Sequence, residues 1–164
     1  KEGRTSVDHP DADNYVLNHN DIVFVRTGAS TGKAFLYTSD QGKLVYAGFL
    51  IRISTDRNRL EPAFLKHFTE THEYLDWVSI TSTRSGQPGI NGQEYAQLMI
   101  PLPSLEEQRA IAELLTSEDM EIQTLDRKLA LLIDQKKFLL NNLVTGTIRL
   151  PQFCKAARKG DRHE

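Results

Sequence analysis

Pro101-Leu102-Pro103-Ser104-Leu105-Glu106-Glu107-Gln108-Arg109-Ala110-Ile111-Ala112 opens the stretch that decides the fold. Two prolines cannot sit inside a helix, so Pro101 and Pro103 close whatever precedes them. Ser104 then reads as an N-cap, and Glu107, three residues on, completes a capping box. Neither Gly nor Pro recurs until Gly146, which is placed to end the helix as a left-handed C-cap residue. The interval has room for a helix of about 60 Å at 1.5 Å per residue. It contains Thr116–Asp119, a stretch of modest helix propensity where an irregularity is expected.

The apolar spacing inside that helix carries the next inference. Ile111, Leu115, Ile122, Leu125, Leu129, Leu132, Leu139 and Leu143 fall on one alternating 4-3 ladder, with Glu118 and Lys136 as polar rungs. A period of 3.5 residues sustained this far predicts a coiled-coil seam. Leu114, Ile133, Phe138 and Leu140 lie off the seam and widen it, so the helix is expected to touch more than one neighbour. A long amphipathic helix packed on its own domain is the competing reading. It is the weaker one, because a mean globular helix has only about 11–12 residues.

The rest of the chain is modest in size and balanced in charge. Its 164 residues allow one domain, or one domain with an appendage. Apolar residues make up 39%, enough for a small core, and the formal net charge is −2. That balance does not announce a nucleic-acid binder, so any DNA site must come from local placement of charge. A single cysteine, Cys154, excludes an intrachain disulfide and fits a reducing cytosol. No signal-peptide pattern or membrane-length apolar run occurs, so no membrane partner is expected and the protein reads as cytoplasmic.

Ahead of the long helix the pattern is that of short strands. Residues 1–14 are polar and read as a loop. Ile22-Val23-Phe24-Val25-Arg26 is a β-branched and aromatic run, and Ala34-Phe35-Leu36-Tyr37 follows it across a Gly-rich turn. Leu44 to Ile53 reads as a longer strand, broken near Gly48. Three strands with short links suggest an antiparallel sheet. Glu61-Pro62 opens a helix to about Thr71, and Tyr74 to Ile80 continue it or begin a second. Thr81 to Gly92 is a loop, and Gln93 to Ile100 reads as a turn and a strand. Thr147–Leu150 reads as extended, and 151–164 as a basic, disordered tail.

Two loops carry candidate chemistry. Gly28-x-x-x-Gly32-Lys33 invites comparison with a phosphate-binding P-loop, but it has one residue too few between the glycines, and Ala34 stands where Ser or Thr is needed. As a hairpin tip, however, it offers Thr27, Ser30, Thr31 and Lys33, with Arg26 beside them, for phosphate or base-edge contact. Arg84-Ser85-Gly86-Gln87-Pro88-Gly89-Ile90-Asn91 is the second loop. Arg pairs bidentately with guanine, and Gln or Asn with adenine. For each loop the plain alternative is a structural turn. No catalytic or metal-binding constellation stands out: His67 and His72 are five apart, not four, and Glu106-Glu107 is explained by helix capping.

At this point the residues resemble a known family. Asp21-Ile22-Val23-Phe24-Val25-Arg26-Thr27-Gly28 followed by Gly32-Lys33 is similar to the central hairpin of a type I restriction-modification specificity subunit. Ile100 to Ala112 resembles that family's junction into its conserved helix. Leu139-Leu140-x-x-Leu143-Val144-x-Gly146-x-Ile148-Arg149-Leu150 resembles the segment that closes it.

The resemblance implies an α+β chain. A small antiparallel β-rich target recognition domain, lacking its usual N-terminal part, would span 1–103. A long coiled-coil-forming helix would span 104–150, and a tail 151–164. It also implies a function: sequence-specific recognition of double-stranded DNA, without catalysis or cofactor. Methyltransferase subunits, and restriction subunits in the full complex, would be brought to a bipartite site. The family carries two recognition domains and two helices paired as an antiparallel ruler. With one of each here, the chain is expected to be a fragment or half-size subunit that pairs as a homodimer. The alternative is a coiled-coil adaptor whose head binds protein without reading DNA.

Overall fold

The computed structural model describes residues 7–83 and 87–154. Arg84, Ser85, Gly86 and the proposed tail beyond Cys154 lie outside the described residues. Two compact units emerge, residues 1–116 and residues 117–164.

The first unit is built on three short strands, β1 (Ile22–Val25), β2 (Ala34–Leu36) and β3 (Leu50–Ile53), in the order β2-β1-β3, all antiparallel. Alternation along β1 divides the packing. Ile22 and Phe24 point to one face and join Leu65, Phe68, Tyr74, Ile90 and Tyr95 in the main core. Val23 points to the other and packs with Leu17 and Tyr37. Two helices cover the first face, α1 (Pro62–Phe68) and α2 (His72–Thr81). Pro62 sits in the first turn of α1, where a missing N–H costs nothing. Thr71 caps α2 by accepting the N–H of Tyr74.

The run Leu44–Ile53 is broken where the sequence placed the break, by a turn at Gly48–Phe49. Val45 bridges Val16, while Leu50–Ile53 pairs with β1. One expectation needs correction: Gln93–Ile100 forms no strand. A helical turn, α3 (Gly92–Tyr95), forms because Asn91 accepts the N–H groups of Gln93 and Glu94 while Glu94 accepts that of Asn91. This local capping box outcompetes the β-propensity of the flanking residues.

The long helix is continuous, α4 (Leu105–Val144), 40 residues, with no break at Thr116–Asp119. Ser104 caps it, its Oγ accepting the N–H of Glu107 at 3.2 Å. Gly146 ends it at φ 76°, and the N–H of Ile148 reaches back to the carbonyl of Asn142 at 2.9 Å. After this turn Pro151–Cys154 forms a one-turn helix, α5, where an irregular tail was expected. Proline's fixed φ suits a first helical position.

Along the seam, Leu115, Ile122, Leu125, Leu129, Leu132 and Leu139 are exposed, and Ile111 and Leu143 are half-buried. Leu125 is 57% and Leu132 52% exposed. Among the described residues of α4, the leucines at heptad spacing from Leu115 to Leu139 thus stand exposed along the helix. Among the described residues, no helix is long and apolar enough to cross a membrane.

Candidate nucleic-acid interface

The two loops nominated by sequence lie against each other. Thr27 bridges Gly89, the N–H of Gly28 donates to the carbonyl of Pro88 at 3.0 Å, and that of Ile90 to the carbonyl of Arg26 at 2.8 Å. On its other side the N–H of Arg26 donates to the carbonyl of Phe49 at 3.0 Å. The backbone at Arg26 and Thr27 is therefore held from two directions, while both side chains are exposed. Together with Gln87 and Asn91 they line a shallow cavity of about 160 Å³.

Each nominated side chain can be placed. Ser30 and Lys33 are exposed at the hairpin tip. Neither Arg26 nor Lys33 takes part in an ion pair among the described residues, so both charges face solvent. Thr31 turns inward: its hydroxyl lies 2.7 Å from the carbonyl of Gly28 and 3.3 Å from that of Pro88, stitching the loops together. Gln87 is exposed, its amide so near Gly28 that a β-carbon there would lie 3.2 Å from Nε2. The Oδ1 of Asn91 is occupied in capping α3. Of Arg84 and Ser85, the structure describes nothing.

Sequence reasoning missed what backs the hairpin. Gly32 has a φ of +89° and packs so closely on α2 that a β-carbon would lie 2.6 Å from a methyl of Val78. Its carbonyl accepts the buried hydroxyl of Tyr74 at 2.6 Å. Burial drives the Tyr74 phenol well above its ordinary pKa, and raises that of Tyr95 beside it. The Tyr95 hydroxyl is buried and faces the Tyr74 hydroxyl, outside strict hydrogen-bond geometry. The loop that carries Lys33 thus rests on a rigid aromatic floor of Phe24, Phe68, Tyr74, Trp77 and Tyr95. The glycine at position 32 was the sequence signal, since a left-handed φ favours one.

Fold and site define a class: an α+β head that presents two interlocked polar loops, followed by a long helix with apolar residues exposed at heptad spacing. Residues 6–133 match the type I restriction modification DNA specificity domain, and the chain belongs to that family. It is 28% identical over 134 residues to the MjaX chain of Methanocaldococcus jannaschii, whose name marks it as a type I restriction enzyme specificity subunit. A second such chain from that organism, the MjaVIII specificity subunit, is 25% identical over 130 residues. These matches cover 80% and 79% of this chain but 32% and 29% of the relatives, so it spans about a third of their length.

Solved structures agree on the fold. A chain of a type I R-M system, from work on its complex assembly and conformational transition, superposes with a TM-score of 0.64 at 21% identity. The HsdS subunit from Thermoanaerobacter tengcongensis superposes with a TM-score of 0.58 at 20% identity. Each match covers 83% of this chain and 35% of the other.

Proposed function

We propose that this chain reads one half-site of a bipartite DNA sequence for a type I restriction-modification system. The observation that supports this most is the lacing of the two loops. Arg26, Thr27 and Gln87, which can address base edges, are carried by a backbone tied on both sides, within a DNA specificity domain. Arg26, Gln87 and Arg84 read bases. Ser30, Ser85 and Lys33 meet phosphates or sugar, and Thr31 and Asn91 shape the loops that present them. The subunit catalyses nothing and needs no cofactor. In the cytoplasm it brings methyltransferase subunits, and restriction subunits in the full complex, to the site. The domain boundary for this work lies at 103–104, with 104–150 as the pairing segment, helical over Leu105–Val144. Two copies of that helix associate antiparallel through Ile111, Leu115, Ile122, Leu125, Leu129, Leu132, Leu139 and Leu143, which makes the chain a homodimer.

A mobility-shift series over single-base duplex variants, with and without the cognate methyltransferase, tests the reading. Lys33→Ala should weaken binding to every duplex and reduce the slope of log K against log salt by about 1, as for one lost phosphate contact. Gln87→Ala should instead level the preference at one base, by about 1–3 kcal/mol for a lost bidentate pair. Binding that never distinguishes one duplex from another would leave the protein-adaptor reading in its place.

A further inference from the structure

On α4, a helix otherwise almost wholly solvated, Gln108 is 0% exposed. Its Oε1 accepts the N–H of Glu61 at 2.9 Å, and its Nε2 donates to the carbonyls of Arg59 at 3.0 Å and Pro103 at 2.9 Å. One acceptor and two donors on a planar amide answer one N–H and two carbonyl oxygens. Among side chains of this length only glutamine offers that set. A glutamate would set a carboxylate against two carbonyl oxygens, and a hydrocarbon would orphan three backbone groups in a dry site.

The partners of Gln108 matter as much as their number. Arg59 and Glu61 lead into α1, and Pro103 leads into α4, so the amide ties together the starts of two helices. Arg109 adds its Nε at 3.4 Å from a Glu61 carboxylate oxygen. Further on, Ala112 is buried, and Thr116 Oγ1 lies 3.1 Å from His67 Nε2. These contacts advance in step along both helices, so the base of α4 lies beside α1 and points the same way. Apolar contacts alone would let the helix roll at small cost. Three hydrogen bonds in fixed directions from a side chain near the axis resist such a roll.

We propose that Gln108 is a positioning residue that fixes how the first turns of α4, up to Thr116, seat on α1, and that discrimination of half-site spacing depends on it. The second clause rests on the function proposed above. It should matter because α4 is one continuous helix of 40 residues, so the seating of its first turns bears on everything the helix carries.

The test uses the assembled methyltransferase with Gln108→Met, which keeps volume and removes all three bonds, and with Gln108→Glu. Substrates carry spacers longer or shorter by one or two base pairs, beside single-base half-site variants at the native spacing. The expected result is that off-spacing methylation rises about tenfold relative to the native spacing, while half-site preference is unchanged. A core variant in β1, Ile22→Val, compared at equal fractional unfolding, should show no such rise. Spin labels at Ser39→Cys and Glu113→Cys, with Cys154→Ser, should give a narrow distance distribution with Gln108 in place and a broad one with Gln108→Met.

Unchanged spacing selectivity overturns the second clause, and an unchanged distribution overturns the first. Equal broadening by Ile22→Val, or loss of cooperative unfolding in both Gln108 variants, makes Gln108 an ordinary core residue. A wild-type complex without half-site preference instead overturns the DNA-reading proposal, and the label distances then still decide whether Gln108 fixes the helix.

Discussion

Gly32→Ala should be among the most damaging single-methyl changes in the head. Two costs act at once. The residue sits at φ +89°, where an L side chain crowds its own backbone, at about 1–2 kcal/mol. The added β-carbon would also lie 2.6 and 2.7 Å from the two methyls of Val78, well inside contact distance. Relieving such an overlap costs about 1–3 kcal/mol. Together the loss is about 2–5 kcal/mol, a large share of the roughly 5–15 kcal/mol that holds a typical domain folded. Urea denaturation followed by the fluorescence of Trp77 reads it directly, because this tryptophan lies 6.0 Å from Tyr74 and 5.5 Å from Tyr95 in the affected core. The double variant separates the two costs. Val78→Ala, destabilising on its own, should be neutral or favourable once Gly32→Ala is present, since it removes the clash but not the backbone strain. A loss below about 1 kcal/mol for Gly32→Ala, additive with that of Val78→Ala, would refute the close packing of hairpin on α2.

Tyr74→Phe removes the hydroxyl that donates to the Gly32 carbonyl and should cost about 1–3 kcal/mol at neutral pH. Because burial raises the folded phenol above the free value of 10.0, its contribution is present below that pH and is lost as pH rises through it. The denaturation midpoint of the native chain should therefore fall more steeply above about pH 10 than that of Tyr74→Phe; parallel curves would count against a buried, proton-retaining Tyr74. On the helix, Leu125→Asp with Leu132→Asp should convert dimers to monomers in sedimentation velocity while leaving the head's Trp77 signal intact. A native chain that sediments as a monomer at high concentration would remove the pairing proposal.

The long helix was legible because its signals are local and mutually consistent. Two prolines, a serine cap, a heptad pattern with polar rungs only at Glu118 and Lys136, and Gly146 all name the same helix. The strands β1 and β2 were legible from β-branched and aromatic runs flanking a glycine turn. Gly48 marked the break in Leu44–Ile53, but apolar content does not reveal that its two parts pair with different partners, here the Tyr15–Leu17 segment and β1. Asn91–Glu94 was a readable capping box, obscured by reading Asn91 only as a base-contacting side chain. Thr31 and Asn91 were singled out for hydrogen-bonding capacity, which their own loops consume. Gln108 was read only as part of the helix-opening motif, because its three partners come from segments whose meeting is a tertiary fact. The mutual support of the two loops was invisible for the same reason.

The central claim is that the laced loops determine which bases are recognised. Sequencing of the sites methylated in genomic DNA by the assembled complex tests it most directly, comparing the native chain with Arg26→Ala/Gln87→Ala. Both half-sites should become degenerate at the same one or two positions, while the spacing stays as it was. A methylated motif identical in both preparations would contradict the account.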